Sequence, residues 1–298
     1  MSTSRISLSG IAFGLAAYGM WGFFPLYFHQ LSAVGPMDVL CNRAAWSFIF
    51  VGILLTLRRQ WGKVAAVFRT PRYLAMLALA ALLVGCNWLF FLWAVANGRV
   101  VASSLGYFLT PLINVLLGLL VLKERLNRLE WAAVGLAVLA VANEMLVLGS
   151  LPWLSLILAG TFGFYGLVRK QVPVDAISGL WLETLAMLPA CGLYALWAGH
   201  DGHAVFTGHD GTTTLLLAVA GVITALPLMA FAAAARRLDL ATVGMLMYIN
   251  PTLQFVTAVW VFGEALQPAR LATFGLIWLG LFVFSWSAWG KYRSQSRA

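Results

Sequence analysis

Three ionisable side chains, Arg43, Glu144 and Glu183, stand inside long apolar stretches of this 298-residue chain. A charge at the centre of a bilayer-spanning helix costs about 2.5–3.5 kcal/mol on translocon scales. Groups kept at that cost either tie helices together or handle a solute. Arg43 could be a fixed cation for an anionic or zwitterionic substrate, or an arginine that snorkels outward onto backbone carbonyls. Glu183 could carry a proton or bind a cation, or it could be a protonated, hydrogen-bonded helix contact. Glu144 lies within about a turn of its run's end, where solvation by water is expected.

Uncharged polar residues gather in the same stretches: Asn42, Asn87, Tyr107, Asn114, Tyr248, Asn250 and Gln254. Buried amides must be paired, so helix-to-helix hydrogen bonding accounts for most of them. Any of them could also line a solute path. Trp88 and Trp93 accompany Asn87, and aromatic walls suit amphipathic solutes. Pro25, Pro111, Pro227 and Pro251 fall within apolar runs, where a proline frees a carbonyl partner. His200, Asp201, His203, His209 and Asp210 sit in one glycine-rich stretch, 199–211, which is discounted as a metal site. Cys41, Cys86 and Cys191 are scattered and odd in number, which gives neither a disulfide framework nor metal spacing. No hydrolase elbow, phosphate-binding loop or zinc-protease helix occurs. No cofactor or metal is expected.

The elements that must position these groups are apolar. Hydrophobic residues make up 62% of the chain and charged residues 10%, and the mean hydropathy is +0.89. Soluble domains carry about 25% charged residues. The composition excludes a soluble enzyme, a nucleic-acid-binding module and a disordered regulator. A membrane-spanning helix needs about 20 mostly apolar residues. Ten runs qualify, near 8–28, 37–57, 73–96, 102–122, 130–148, 152–168, 176–198, 212–234, 241–262 and 270–288. The expected fold is an all-α polytopic membrane protein whose solvent is largely lipid.

The net charge of +9 reflects topology rather than a nucleic-acid partner. With the N-terminus cytoplasmic, sixteen of the nineteen Lys and Arg residues fall on the cytoplasmic side. Arg99 and Arg270 fall outside, and Arg43 lies within a span. That bias, on an even number of spans, puts both termini in the cytoplasm. Trp61, Trp131, Trp153, Trp286, Trp289 and Tyr292 sit near run ends and read as headgroup anchors.

A shift of 140 residues superposes the halves. Pro111 and Asn114 meet Pro251 and Gln254, and Val121, Glu124 and Leu126 meet Val261, Glu264 and Leu266. Ala132, Gly135, Leu136 and Leu139 meet Ala272, Gly275, Leu276 and Leu279. Residues 1–148 form a first repeat of helices 1–5. Residues 149–298 form a second, helices 6–10, with a short basic cytoplasmic tail. Five spans is odd, so the copies enter from opposite faces as two inverted five-helix repeats. Such repeats are typical of secondary transporters, with substrate sites near mid-depth between the copies. Arg43 and Glu183 occupy equivalent positions with opposite charge, each about seven residues, or roughly 10 Å, inside its run.

The motifs also carry a resemblance. They include Tyr18 to Tyr27, Asn87-Trp88 with Trp93, Ser104 to Phe108, and Pro111 to Leu126. They continue with Tyr165 to Lys170, Leu182-Glu183, Thr224 to Leu228, and Tyr248 to Thr252 with Phe255. Over about residues 8–288 the chain resembles the EamA-type drug/metabolite transporters, and within them the RarD subgroup, named for chloramphenicol sensitivity. The resemblance implies ten helices, a bacterial inner-membrane location, and export or exchange of small metabolites or drugs. Two positions depart from the family's usual pattern. Asn42 stands where histidine commonly precedes the arginine, and Met247 where glutamine precedes Tyr248.

The reading is a secondary-active or facilitative carrier, an exporter or exchanger working by alternating access. Arg43 and Glu183 are its polar determinants. Asn42, Asn87, Trp88, Tyr107, Asn114, Tyr248, Asn250 and Gln254 are candidate lining. Its partners are a small-molecule substrate and the lipid bilayer, and a carboxylate such as Glu183 could couple protons. The rival readings are a multipass enzyme acting on a lipid or lipid-linked substrate, and a membrane-embedded assembly or sensor subunit.

Overall fold

The computed structural model describes residues 8–121, 127–200, 202–235, 237–238 and 246–295. Glu124 and Leu126 of the repeat register and the first residues of the ninth run, 241–245, lie outside the described residues, as does Asp201. All regular structure among the described residues is helical.

The chain runs α1 (Leu8–Gly22), α2 (Phe24–His29), α3 (Pro36–Leu57), α4 (Trp61–Phe68), α5 (Pro71–Ala96) and α6 (Val100–Leu120). It continues with α7 (Arg128–Leu148), α8 (Trp153–Lys170), α9 (Ala176–His200), α10 (Gly211–Ala235) and α11 (Ile249–Val256). A π-helical turn, Thr257–Val261, follows, and α12 (Pro268–Gln295) closes the described chain. Among the described residues, seven segments are long and apolar enough to cross a membrane, the first spanning α1 and α2 together. α6 contributes a shorter apolar stretch.

Local chemistry sets the boundaries. Pro36 and Pro71 open α3 and α5, where a missing amide costs nothing. α7 starts with a reciprocal capping box between Asn127 and Glu130 and ends on Gly149 in the left-handed conformation. The first apolar run is two helices rather than one, broken at Phe23, with Pro25 in the opening turn of α2. Pro251 is likewise the third residue of α11. Neither of these prolines lies deep enough in a helix to free a carbonyl, whereas Pro111 and Pro227 do lie inside α6 and α10. Sequence reading also missed α4, whose Val64 and Val67 turn inward while Lys63 faces out.

The helices are apolar on their outer faces, and the charged groups within the spans turn inward among apolar packing. Leu146 is 84% exposed, while Glu144, two residues earlier, is 2% exposed. This inversion suits lipid as the surrounding medium. Trp131 and Trp153 are exposed in the first turns of α7 and α8, as interface anchors would be, whereas Trp286, also exposed, lies inside α12.

Packing runs mostly between the two halves of the chain. α7 packs on α12, α6 on α8, α1 and α3 on α10, and α5 on α8 and α9. α3 also meets α9, and α11 meets α1 and α6. Small residues allow the closest crossings. A Cβ on Gly221 of α10 would run into the Trp46 backbone, and one on Gly106 of α6 would meet the Ser155 carbonyl oxygen at 2.8 Å. Cross-links define two ends of the bundle. At the α4 end, Lys63 lies 3.6 Å from Asp175, and Asn127 Nδ2 donates to Ser287 Oγ at 2.6 Å. At the far end, His203 pairs with Asp38 at 2.8 Å and Asn143 Nδ2 donates to the Ala269 carbonyl at 3.0 Å.

Candidate functional site

Arg43 lies on the buried face of α3, 3% exposed. Its Nε donates to Thr224 Oγ1 of α10 at 2.7 Å. Its guanidinium carbon sits 4.0 Å from the Trp88 ring centroid, 5.1 Å from Phe28 and 5.6 Å from Phe24. Desolvated cation–π contacts of this kind are worth about 2 kcal/mol. They offset part of the cost of burying the charge. Nη1 has no hydrogen-bond partner. Tyr27 and Tyr107 are close enough to interact electrostatically with the guanidinium.

A hydrogen-bonded group adjoins this cage. Tyr107 of α6 donates to Asn87 Oδ1 at 2.9 Å. Asn87 Nδ2 donates to the Leu158 carbonyl at 2.9 Å and to Thr161 Oγ1 at 3.0 Å, both on α8. Asn87 is therefore fully engaged between α5, α6 and α8. Tyr107, Phe162 and Tyr165 then form a run of ring contacts, at 6.0 and 5.9 Å, toward Glu183.

Glu183 does not meet Arg43. It is 1% exposed, its Oε1 lies 3.2 Å from Arg169 Nε, and its Oε2 accepts from Tyr165 at 3.3 Å. The basic count had placed Arg169 in a loop. It is in the last turn of α8, with its side chain folded against Gly179 of α9. Glu144 also departs from expectation. It is not solvated, because α7 packs on α12 and turns the carboxylate inward. There it lies 3.1 Å from Arg270 Nε and accepts from Thr273 at 3.1 Å.

The other candidate residues are dispersed. Asn42 points away from the cage and donates to the Asp38 and Val205 carbonyls, pinning the stretch around Val205 to α3. Gln254 accepts from Ser103 at 3.2 Å and donates to Asn250 Oδ1 at 2.9 Å, joining α11 to α6. Asn114 is exposed. Tyr248 is half-buried next to Ser285. Sequence reasoning passed over Phe24, Phe28 and Thr224 as partners of Arg43. Phe24 and Phe28 are four residues apart on one helix face, which was a usable signal.

At the far end a cavity of about 370 Å³ is lined by Arg99, Glu144, Trp153, Ser155, Glu264 and Arg270, among others. Glu264 is held there by the chain turning at Gly263, whose φ of 66° favours glycine.

Apolar helices facing outward around buried charge define a multipass membrane protein, and its relatives define a transporter. Residues 8–143 match the EamA-like transporter family. An uncharacterized transporter of Vibrio cholerae is 46% identical over 93% of this chain and 91% of its own length. Protein RarD of Escherichia coli is 42% identical over 97% of each chain. The chloramphenicol-sensitive protein RarD of Pseudomonas aeruginosa is 34% identical over 98% of this chain and 99% of its own. A crystal structure 21% identical, covering 92% of this chain and 96% of that one with a TM-score of 0.59, shares the fold. The chain belongs to the EamA-like transporter family, together with the RarD proteins.

Proposed function

We propose that the chain is a ten-helix carrier of the bacterial inner membrane that exports or exchanges small metabolites or drugs by alternating access. Its halves, residues 1–148 and 149–298, are inverted repeats, and both termini are cytoplasmic. The packing supports this reading. Exchanging each helix for its equivalent 140 residues away turns α6 on α8 into α11 on α1, and α3 on α10 into α9 on α5, and each of those pairs is present.

The observation that carries the reading is Arg43. Its charge is buried at membrane depth and held between both halves by Thr224 of α10 and Trp88 of α5. Trp88 and Tyr107 form the wall next to it. Asn87 positions Tyr107, and Gln254 with Asn250 steadies α11 against α6. Asn42, Asn114 and Tyr248 lie apart from this wall, and any contact they make with solute is outside the cage. Glu183, released from Arg169, is the group that couples protons.

Counterflow of labelled amino acids, nucleosides, organic anions and chloramphenicol into proteoliposomes tests the proposal. Counterflow needs no ion gradient, so it presupposes no coupling. Arg43→Ala is expected to abolish flux while leaving insertion intact. Flux at the wild-type level in that variant would remove Arg43 from the mechanism.

A further inference from the structure

The charges at the two equivalent positions are not treated alike. Glu183 has Arg169. Arg43 should find its counterpart at His29, 140 residues before Arg169. His29 instead lies against the Phe262 ring at 4.5 Å and carries no negative charge to offer.

The described carboxylates are all engaged elsewhere. Glu144 is with Arg270, Asp38 with Tyr194 and His203, and Glu264 with the amides of Val100 and Val101. Asp175, Asp210 and Glu130 cap helix starts. Among the described residues nothing supplies Arg43 with a negative charge, and its Nη1 is left without a hydrogen-bond partner at 3% residue exposure.

We propose that Arg43 docks the carboxylate of an organic monoanion with an apolar body, and that this is the solute carried. The assignment rests on the carrier reading for its last clause only. A carboxylate on a guanidinium in a water-poor site makes short, charge-assisted hydrogen bonds, and it supplies the missing counter-charge. One cation neutralises one negative charge. A dicarboxylate or phosphate monoester would bring a second charge with no partner, which is strongly unfavourable in such a site. A zwitterion's ammonium would need a carboxylate or an open ring face. The described carboxylates are taken, and Phe24, Phe28 and Trp88 already face Arg43. Tyr27 and Tyr107, the other rings beside the guanidinium, offer apolar surface for the remainder of the solute.

The test is thermal unfolding of the purified full chain in detergent. Benzoate and 3-phenylpropanoate are compared with their neutral amides, with phenylalanine and with succinate. A bound ligand raises the unfolding temperature in a saturable way. Both monocarboxylates are expected to stabilise, and their amides, phenylalanine and succinate are not. R43Q is expected to need at least about tenfold more benzoate, since it loses the charge-assisted hydrogen bonds to the carboxylate. R43K should fall between. Should R43Q fail to fold, R43K and T224V carry the comparison. Equal stabilisation by acid and amide, a wild-type response in R43Q, or no response to either monocarboxylate would overturn the assignment. Counterflow is measured separately. Carboxylate-specific stabilisation without counterflow sinks the carrier reading and leaves the docking site standing. Counterflow of neutral or zwitterionic solutes without a carboxylate response does the reverse.

Discussion

Glu264 and Val100 meet across the boundary between the two halves of the chain. Glu264 Oε1 accepts the Val100 amide at 2.6 Å, and Oε2 accepts the Val101 amide at 2.8 Å. One carboxylate from the turn after α11 thus satisfies two of the free amides that open α6 and places a negative charge at the positive end of its dipole.

Removing that carboxylate should loosen α6 at the far end. Glu264→Ala is expected to lower stability by about 1–2 kcal/mol, the combined scale of a lost cap and a lost dipole interaction. Glu264→Gln, which keeps one acceptor oxygen, should fall between. Thermal unfolding in detergent reads both. An unchanged transition in the alanine variant would show that water replaces the cap at no cost.

The two buried ion pairs predict a characteristic pattern. Glu183→Ala or Glu144→Ala leaves Arg169 or Arg270 without its partner in a low-dielectric site, at a cost of about 3–5 kcal/mol. Pairing the change with Arg169→Met or Arg270→Met should recover most of the loss, because two charges are removed together. A double-mutant cycle on folded yield and unfolding temperature makes the comparison. If each double variant is as poor as the sum of its singles, the pairs are not coupled.

Glycines distinguish close crossings from idle positions. Gly221→Ala and Gly106→Ala place a methyl group against neighbouring backbone and should destabilise by about 1–3 kcal/mol, the usual cost of overpacking. Gly135→Ala, in α7 with nothing within 4 Å of the added carbon, should stabilise by about 0.5–1 kcal/mol through helix propensity alone. Unfolding midpoints of the three variants should therefore move in opposite directions.

Acid should weaken the start of α9. Partial burial pulls the Asp175 carboxyl upward. The Ser178 amide and hydroxyl and the nearby Lys63 ammonium outweigh it, so the group sits below the ordinary carboxylate range in the folded chain. A lowered folded value means that the contribution is present at neutral pH and is lost as pH falls through that value. Asp175→Asn should flatten the acid limb of the stability profile. It should cost about 1 kcal/mol or less at pH 7, the scale of a helix cap. An unchanged acid limb would refute the assignment.

Helix positions were legible from apolar runs because lipid demands continuous apolar faces. Eight of the runs coincide with single helices to within a few residues, except that α12 continues past 288 to Gln295; the first run is two helices, and part of the ninth lies outside the described residues. The break at Phe23 was not legible, since hydropathy does not register where a backbone changes direction. Arg43 and Glu183 were found because burial of charge is visible in sequence. Their partners were not, because Thr224 lies 181 residues from Arg43, and because the Arg169 side chain crosses from the end of α8 to α9. Glu144 was misjudged from its nearness to a helix terminus. Depth along a helix says nothing about which neighbour the side chain faces.

The packing of the halves has one more consequence. α7 lies on α12, α6 on α8, and α3 on both α9 and α10, so each half of the chain completes its buried surface with helices of the other. The midpoint of the sequence is therefore not a seam along which the protein comes apart. A fragment ending at residue 148 would be a set of helices lacking most of the neighbours they pack against, closer to one strand of a braid than to a domain.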